Sequence, residues 1–322
     1  MTKSPVVILH TDELGPALDV ARAAHPDLTF HGCDSYAALP GVIAETEAEA
    51  VYTVRFAGTP DFPRESLLES PSVRWVSVGG SGTDHLGTWD SARVTVTNAA
   101  GVAADMMAEY AIGALLHFSL DFPGFRRAQA AREWIEGRVR PIAGQTLLIL
   151  GVGQTGRAIA ARAKAMGMTT IGIRARPKAL ENLDEMHPVD ALAALLPRAD
   201  AVAICVPLLR NTRGIFDVAT IAAMKPGAVL VDVSRGGVVD QTALAAALAS
   251  GQLRGAALDV FETEPLPETS PFWAMENVIV TPHCSSVYDG WTLKSVAMFC
   301  ENLSRYRRGD ALANIVDPER GY

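Results

Sequence analysis

Three short segments in the second half of the chain carry side chains whose types could combine anion binding with proton transfer. Val231-Asp232-Val233-Ser234-Arg235-Gly236-Gly237 presents Arg235, a permanently charged, planar fork that matches a carboxylate. Asp259-Val260-Phe261-Glu262-Thr263-Glu264-Pro265-Leu266-Pro267 presents Glu264. Thr281-Pro282-His283-Cys284-Ser285-Ser286 presents His283, whose ordinary pKa is about 6.5. Singly, each has a structural explanation: a capping or ion-paired arginine, an exposed loop acid, a hydrogen-bonded histidine closing a strand. Jointly they make an anion grip, a proton donor, and an acid that fixes the donor's tautomer and favours its protonated form.

A fourth segment supplies the context. Gly151-Val152-Gly153-Gln154-Thr155-Gly156 follows the apolar run Leu147–Leu150 and opens a helical stretch, Arg157–Met166, before a second apolar run at Thr169–Ile173. That setting gives a G-x-G-x-x-G its meaning. Gly151 permits a tight turn, Gly153 lets backbone approach a pyrophosphate, and Gly156 lets helix pack on strand. With Gln154 and Thr155 these residues make a cofactor-binding loop at a helix N-terminus, the end that attracts phosphate. An NAD-specific site places Asp or Glu at the end of the second strand. Here Ile173 is followed by Arg174-Ala175-Arg176-Pro177, with no acid. Two guanidiniums suit a 2′-phosphate that a carboxylate would repel. NADP(H) is therefore the preferred cofactor expected, with NAD(H) possible if the arginines are merely solvated.

The elements that must position these groups alternate. Short β-branched runs at Val6–Leu9, Ala50–Val54, Val73–Val78 and Arg93–Thr97 precede a helical stretch, Gly101 to about Leu120. The segment Asp121–Pro141 reads as an extended arm. A second series of about six strands follows: Thr146–Leu150, Thr169–Ile173, Ala201–Val206, Ala228–Val233, Ala256–Val260 and Val278–Thr281. Helices are expected between most of them, at Arg157–Met166, Val189–Leu196, Ala219–Met224 and Gln241–Ser250, and again over Asp289–Arg308. Alternation of this kind predicts an α/β fold with parallel sheets. In such sheets ligands bind beyond the carboxyl ends of the strands, where the Arg, Glu and His segments fall.

With 28 basic against 36 acidic side chains and a net charge of −8, the 322-residue chain is a poor general binder of nucleic acid or membrane surface. Asp105 and Glu109 interrupt the longest apolar stretch, so no membrane span is expected, and Val6–Leu9 is too short for a signal-peptide core. Cys33, Cys205, Cys284 and Cys300 form no C-x-x-C pair. No metal site is expected, and free thiols fit a cytoplasmic location.

These features, with Gly80-Ser81-Gly82-Thr83-Asp84-His85, Thr97-Asn98-Ala99-Ala100-Gly101 and Ala108-Glu109, occur in a fixed order. In this the chain resembles the D-isomer-specific 2-hydroxyacid dehydrogenases over nearly its whole length. The ending, Asn314-Ile315-Val316-Asp317 with Arg320-Gly321-Tyr322, is similar to the glyoxylate/hydroxypyruvate reductase branch. The resemblance implies two doubly wound parallel-sheet domains. One is a flavodoxin-like substrate domain of residues 1–99 and 288–322. The other is an inserted Rossmann cofactor domain of residues 100–287, with a dimerisation arm about 122–141.

It also implies NADPH-dependent reduction of a small 2-keto acid, glyoxylate or hydroxypyruvate, to the D-2-hydroxy acid by a homodimer. Arg235, Glu264 and His283 are then catalytic, His283 as general acid. Arg235 and the N–H groups of Ser81 and Gly82 take the substrate carboxylate. Val206, Pro207, Thr212, Val233 and Ser234 line the cofactor, and Asp259 accepts from its carboxamide. Trp134 in the arm reaches toward the partner's active site. Rival readings are a D-lactate-type or phosphoglycerate-type dehydrogenase, with Arg55 one candidate but no cluster for a substrate phosphate, and a dinucleotide-sensing binding protein, which would need no proton donor. A formate dehydrogenase would carry Gln in place of Glu264. The family usually has an aliphatic residue and then Ala or Gly where this chain has Cys284-Ser285-Ser286, which bears on substrate preference. A Cys284–His283 nucleophile is disfavoured because neighbours on an extended segment point to opposite sides.

Overall fold

The computed structural model describes residues 4–56, 59–137 and 139–318. The chain divides into two units, Met1–Val102 with Tyr288–Tyr322, and Ala103–Val287. Among the described residues each unit is built on one parallel sheet.

In the first unit the strands are β1 (Val7–His10), β2 (Phe30–Cys33), β3 (Ala50–Thr53), β4 (Trp75–Val78) and β5 (Thr95–Asn98), in the order β2-β1-β3-β4-β5. Helices α1 (Leu14–Ala24), α2 (Leu39–Thr46) and α3 (Arg64–Leu68) link them. Strands covered on both faces need continuous apolar runs rather than alternation. Val7, Ile8, Leu9, Val51, Tyr52, Trp75 and Val76 are accordingly fully buried.

In the second unit α4 (Ala104–Ser119) and α5 (Phe122–Ala131) come before the sheet. Its strands are β6 (Thr146–Leu150), β7 (Thr169–Ile173), β8 (Glu185–His187), β9 (Ala201–Ile204), β10 (Val229–Asp232), β11 (Gly255–Leu258) and β12 (Val278–Val280), in the order β12-β11-β10-β9-β6-β7-β8. Between them run α6 (Gln154–Ala165), α7 (Leu192–Leu195), α8 (Val218–Ala222) and α9 (Gln241–Ala249), and α10 (Trp291–Arg308) belongs to the first unit. Aspartates cap several starts: Asp217 accepts from the Thr220 N–H at 2.8 Å and Asp240 from the Ala243 N–H at 2.9 Å.

Three sequence expectations change. Strands β2 and β8 were not read from the sequence. The arm is helical in its first half, where Asp121 caps α5 by accepting from the Gly124 N–H at 3.2 Å and Pro123 lies in the first turn. The helix expected over Val189–Leu196 is broken into a 3-10 turn, the four-residue α7 and a second 3-10 turn. Arg138 and Arg320-Gly321-Tyr322 lie outside the described residues. No described helix is long and apolar enough to cross a membrane.

Each sheet reverses its winding once, between β1 and β3 and between β6 and β9. Such reversals open a crevice at the carboxyl ends. At the first, His10 is fully buried and its Nδ1 lies 2.8 Å from Thr53 Oγ1. Its ring packs 4.8 Å from that of Phe56 and 5.5 Å from that of Tyr36. Burial lowers its pKa from 6.5 to about 4. Above pH 6.5 neither folded nor unfolded His10 is charged; below it the unfolded chain takes up a proton that the folded chain refuses until about pH 4. Acidification across that window should cost up to about 3 kcal/mol through this residue. Urea unfolding of His10→Asn from pH 7 to 4 should show a shallower loss than the wild type; equal slopes would remove His10 as the cause.

Candidate active site

The glycine loop leaves β6 at the second reversal. Gly151 has φ +97°, and a Cβ there would lie 2.7 Å from the Cys205 carbonyl oxygen at the end of β9. A Cβ on Gly156 would lie 2.1 Å from the Gly151 carbonyl oxygen, so α6 can begin this close to the turn only with glycine. Gly153 differs, since nothing stands within 4 Å of where its Cβ would be. It is the N-cap of α6, with no side chain capping that helix. The free N–H groups of a twelve-residue helix thus face open space beside bare backbone. These residues fit the pyrophosphate of a dinucleotide.

Gln154 is exposed and Thr155 half-buried, its hydroxyl 3.6 Å from the Met107 sulfur. The Gly151 N–H donates to the Ile173 carbonyl at 2.9 Å, tying the loop to the end of β7. There Arg174 is half-buried, with its N–H donating to the His187 carbonyl at 3.2 Å, and Arg176 is exposed. Beyond β9, Val206 is half-buried and Pro207 exposed. Thr212 closes their loop by donating to the Pro207 carbonyl at 2.6 Å.

The Arg, Glu and His segments follow β10, β11 and β12. Val233 and Ser234 are buried. Ser234 donates twice to Asp232 Oδ1, from Oγ at 2.5 Å and from its N–H at 2.9 Å, and its carbonyl accepts from Arg235 Nη1 at 2.8 Å. Burial, with Asp259 close by, pushes the Asp232 carboxyl up to about 7. Gly236 lets this turn meet the next segment, because a Cβ there would lie 1.9 Å from the Phe261 carbonyl oxygen. The Phe261 N–H in turn donates to Glu264 Oε1 at 2.9 Å, and Glu264 Oε2 accepts from His283 Nδ1 at 2.8 Å. The fold thus brings Glu264 and His283 together and packs the Arg235 turn against their segment.

Sequence reasoning did not find what holds the histidine. Asp259 is 1% exposed, and its carboxylate accepts from Thr281 Oγ1 at 2.6 Å, the Cys284 N–H at 2.9 Å and the Ser285 N–H at 3.0 Å. The contacts it makes anchor the His283 segment. In the sequence Asp232 was visible only as an acid at a strand end, and Asp259 only as the acceptor of the cofactor carboxamide that the family resemblance implies. The His283 segment is also not extended, since His283 has φ +52°. The alternation argument against a Cys284–His283 nucleophile therefore does not apply there. What argues against it is that burial raises the Cys284 pKa, so the thiol stays protonated.

In the first unit, the loop after β4 forms a second polar feature. The carbonyls of Gly79, Gly80 and Ser81 accept from Ser295 Oγ at 2.7 Å, the Ala99 N–H at 2.9 Å and Asn98 Nδ2 at 2.7 Å. The N–H groups of Gly80, Ser81 and Gly82 make no hydrogen bond among the described residues. These three backbone N–H groups remain as donors for a ligand oxygen.

A dinucleotide loop at a sheet reversal, with an arginine, an acid and a histidine at neighbouring strand ends, defines a nicotinamide-dependent oxidoreductase. A family model, D-isomer specific 2-hydroxyacid dehydrogenase, NAD binding domain, matches residues 112–285. The chain is 33% identical over 278 residues to a glyoxylate reductase of Korarchaeum cryptofilum, covering 81% of each. It is 32% identical over 259 residues to a D-3-phosphoglycerate dehydrogenase of Methanocaldococcus jannaschii, covering 79% of this chain but only about half, 49%, of that longer relative. Among solved structures, a D-isomer specific 2-hydroxyacid dehydrogenase from Xanthobacter autotrophicus Py2, in complex with NADPH and MES, superposes with TM-score 0.86 at 31% identity over 99% of this chain and 100% of that one. The chain belongs to the D-isomer specific 2-hydroxyacid dehydrogenase family. Its cofactor is NAD(P)(H), and its general chemistry is the NAD(P)H-dependent interconversion of 2-keto and 2-hydroxy acids.

The tight Gly151–Gly156 approach makes a direct test. Gly156→Ala should raise the dissociation constant for NADPH by at least about tenfold, some 1.4 kcal/mol, by protein fluorescence titration. Unchanged affinity in a folded variant would mean that the cradle tolerates a methyl group and does not depend on this contact.

Proposed function

We propose that the protein reduces a small 2-keto acid, glyoxylate or hydroxypyruvate, with NADPH to the D-2-hydroxy acid. The observation that carries this reading is the Glu264–His283 pair at 2.8 Å, set beside the Arg235 turn in the unit that holds the glycine loop. A site that only sensed dinucleotides would need neither proton donor nor its orienting acid.

Bound at the loop of Gly151, Gly153, Gln154, Thr155 and Gly156, with Val206, Pro207, Thr212, Val233 and Ser234 along it, the nicotinamide cofactor supplies a hydride. Glu264 accepts from Nδ1 of His283, so Nε2 is the nitrogen that gives the proton to the substrate's carbonyl oxygen and takes it back in reverse. Arg235 stabilises the charge that develops on that oxygen and takes the substrate carboxylate, to which the N–H groups of Ser81 and Gly82 are also assigned. Asp259 keeps the His283 segment in place; a bond to the carboxamide would be additional to the three it makes.

Preference for NADPH rests on Arg174 and Arg176 and on the missing acid after β7. The Xanthobacter relative was solved with NADPH. We further assign the arm at 122–141 to a homodimer contact. Trp134 is 98% exposed, with Ile135 and Val139 also exposed, an unusual apolar run to leave in water. Trp134 would then approach the partner's active site.

Initial rates of NADPH oxidation with glyoxylate and hydroxypyruvate should exceed those with pyruvate, phosphohydroxypyruvate, or NADH as reductant. Fast turnover of phosphohydroxypyruvate alone would point to the phosphoglycerate-type enzyme, and no turnover with tight NADPH binding to a sensor. His283→Ala should lower kcat by about 10²–10⁴; a rate near wild type would remove His283 as the acid. Arg174→Asp should weaken NADPH binding far more than NADH binding, and an equal effect on both would sink the 2′-phosphate assignment.

A further inference from the structure

A peptide group is planar and trans, so the carbonyl of one residue and the N–H of the next point in opposite directions. Fixing a carbonyl therefore aims the following N–H. After β4 this happens three times in succession. Ser295 Oγ holds the Gly79 carbonyl and so directs the Gly80 N–H. The Ala99 N–H holds the Gly80 carbonyl and directs the Ser81 N–H. Asn98 Nδ2 holds the Ser81 carbonyl and directs the Gly82 N–H.

The holders are themselves fixed. Ser295 is 1% exposed and accepts from the fully buried Tyr52 hydroxyl at 2.9 Å. Asn98 is 8% exposed, ends β5 beside Val78, and its Oδ1 accepts from the Ala100 N–H at 3.1 Å. Both ends of its amide are thus engaged, which fixes the direction of the donor. Of the three holders, Asn98 is the one whose side chain acts on the exposed middle of the loop, because Ser81 itself is exposed and only this bond determines which way its peptide faces.

We propose that Asn98 is a positioning residue for substrate binding, whose amide orients the Ser81–Gly82 peptide so that its N–H meets the carboxylate of the 2-keto acid. This rests on the 2-keto acid reading above. The carboxylate is not altered by the reaction, so this N–H binds ground state and transition state alike. Loss of such uniform binding raises KM and leaves kcat in place.

The test uses the full chain with NADPH. Asn98→Ala should raise KM for the keto acid about tenfold, as expected for one lost bond to a charged group's binding loop. It should leave kcat and the NADPH dissociation constant near wild type, and weaken oxalate, an unreactive dicarboxylate, by the same factor. In the wild type, oxalate should shift the amide resonances of Gly80, Ser81 and Gly82. That measurement needs no variant and stands if Asn98→Ala does not fold. Unchanged KM and oxalate affinity in a folded variant would overturn the proposal, as would wild-type amides that saturating oxalate leaves unmoved. If the wild type reduces no keto acid but its Gly80–Gly82 amides still respond to oxalate and Asn98→Ala weakens that response, the 2-keto acid reading fails while the positioning role of Asn98 stands.

Discussion

The chemistry of the cofactor unit depends on one buried carboxylate. Asp259 accepts three hydrogen bonds from the segment that carries His283, two from backbone N–H groups and one from a hydroxyl. Burying an ion is costly unless its acceptors are filled, and here the donors that fill them are the loop to be placed. A neutral amide could not substitute, because Asn has one acceptor oxygen and would turn donors toward donors. The bonds also offset a backbone cost. His283 adopts φ +52°, a region that costs a non-glycine residue roughly 1–3 kcal/mol and persists only where its surroundings enforce it. With the residues on either side pinned, the ring is left to meet Glu264.

The same device recurs one strand away. Asp232, at the end of β10, accepts twice from Ser234, and the Ser234 carbonyl accepts from the Arg235 guanidinium. Adjacent strands therefore end in two buried acids, one ordering the Arg turn and the other the His turn. Two such charges cannot be equally comfortable. Burial and the nearby Asp259 push Asp232 up to about 7, while Asp259 accepts from two backbone N–H groups and one hydroxyl of the His283 segment.

Much of this was legible in the sequence, and the exceptions share a cause. Strands covered on both faces, such as β6 with Leu147–Leu150, announce themselves as aliphatic runs. Strands β2 (Phe-His-Gly-Cys) and β8 (Glu-Met-His) did not, and both lie at sheet edges, where β2 is only partly buried and β8 nowhere fully so. An edge strand is not required to be apolar throughout, so its composition carries little signal. The helix α5 was missed although its start was written plainly, with Asp121 as cap and Pro123 in the first turn, because its polar residues suggested an arm. At the site, the positions of Arg235, Glu264 and His283 after successive strands followed from the order of motifs. The partners of Asp259, Asp232 and Asn98 did not, because a hydrogen bond between segments has no sequence period. Only the fold says which loop a buried acid or amide will hold.

The two units solve the problem of presenting polar groups in opposite ways. In the cofactor unit, buried carboxylates gather N–H groups inward and leave ionisable side chains facing out. In the other unit, three carbonyls of the loop after β4 are held from within, and the N–H groups of Gly80, Ser81 and Gly82 make no hydrogen bond among the described residues. Backbone N–H groups cannot titrate or swing as an arginine can, so they suit a charge that stays constant through a reaction. Side chains that change protonation, or meet charge only as it forms, suit the reacting carbonyl. In the proposed reaction, substitutions around the loop after β4 would act mainly on which carboxylate is accepted and how tightly. In the same reaction, substitutions after β10, β11 and β12 would act on how fast the carbonyl reacts.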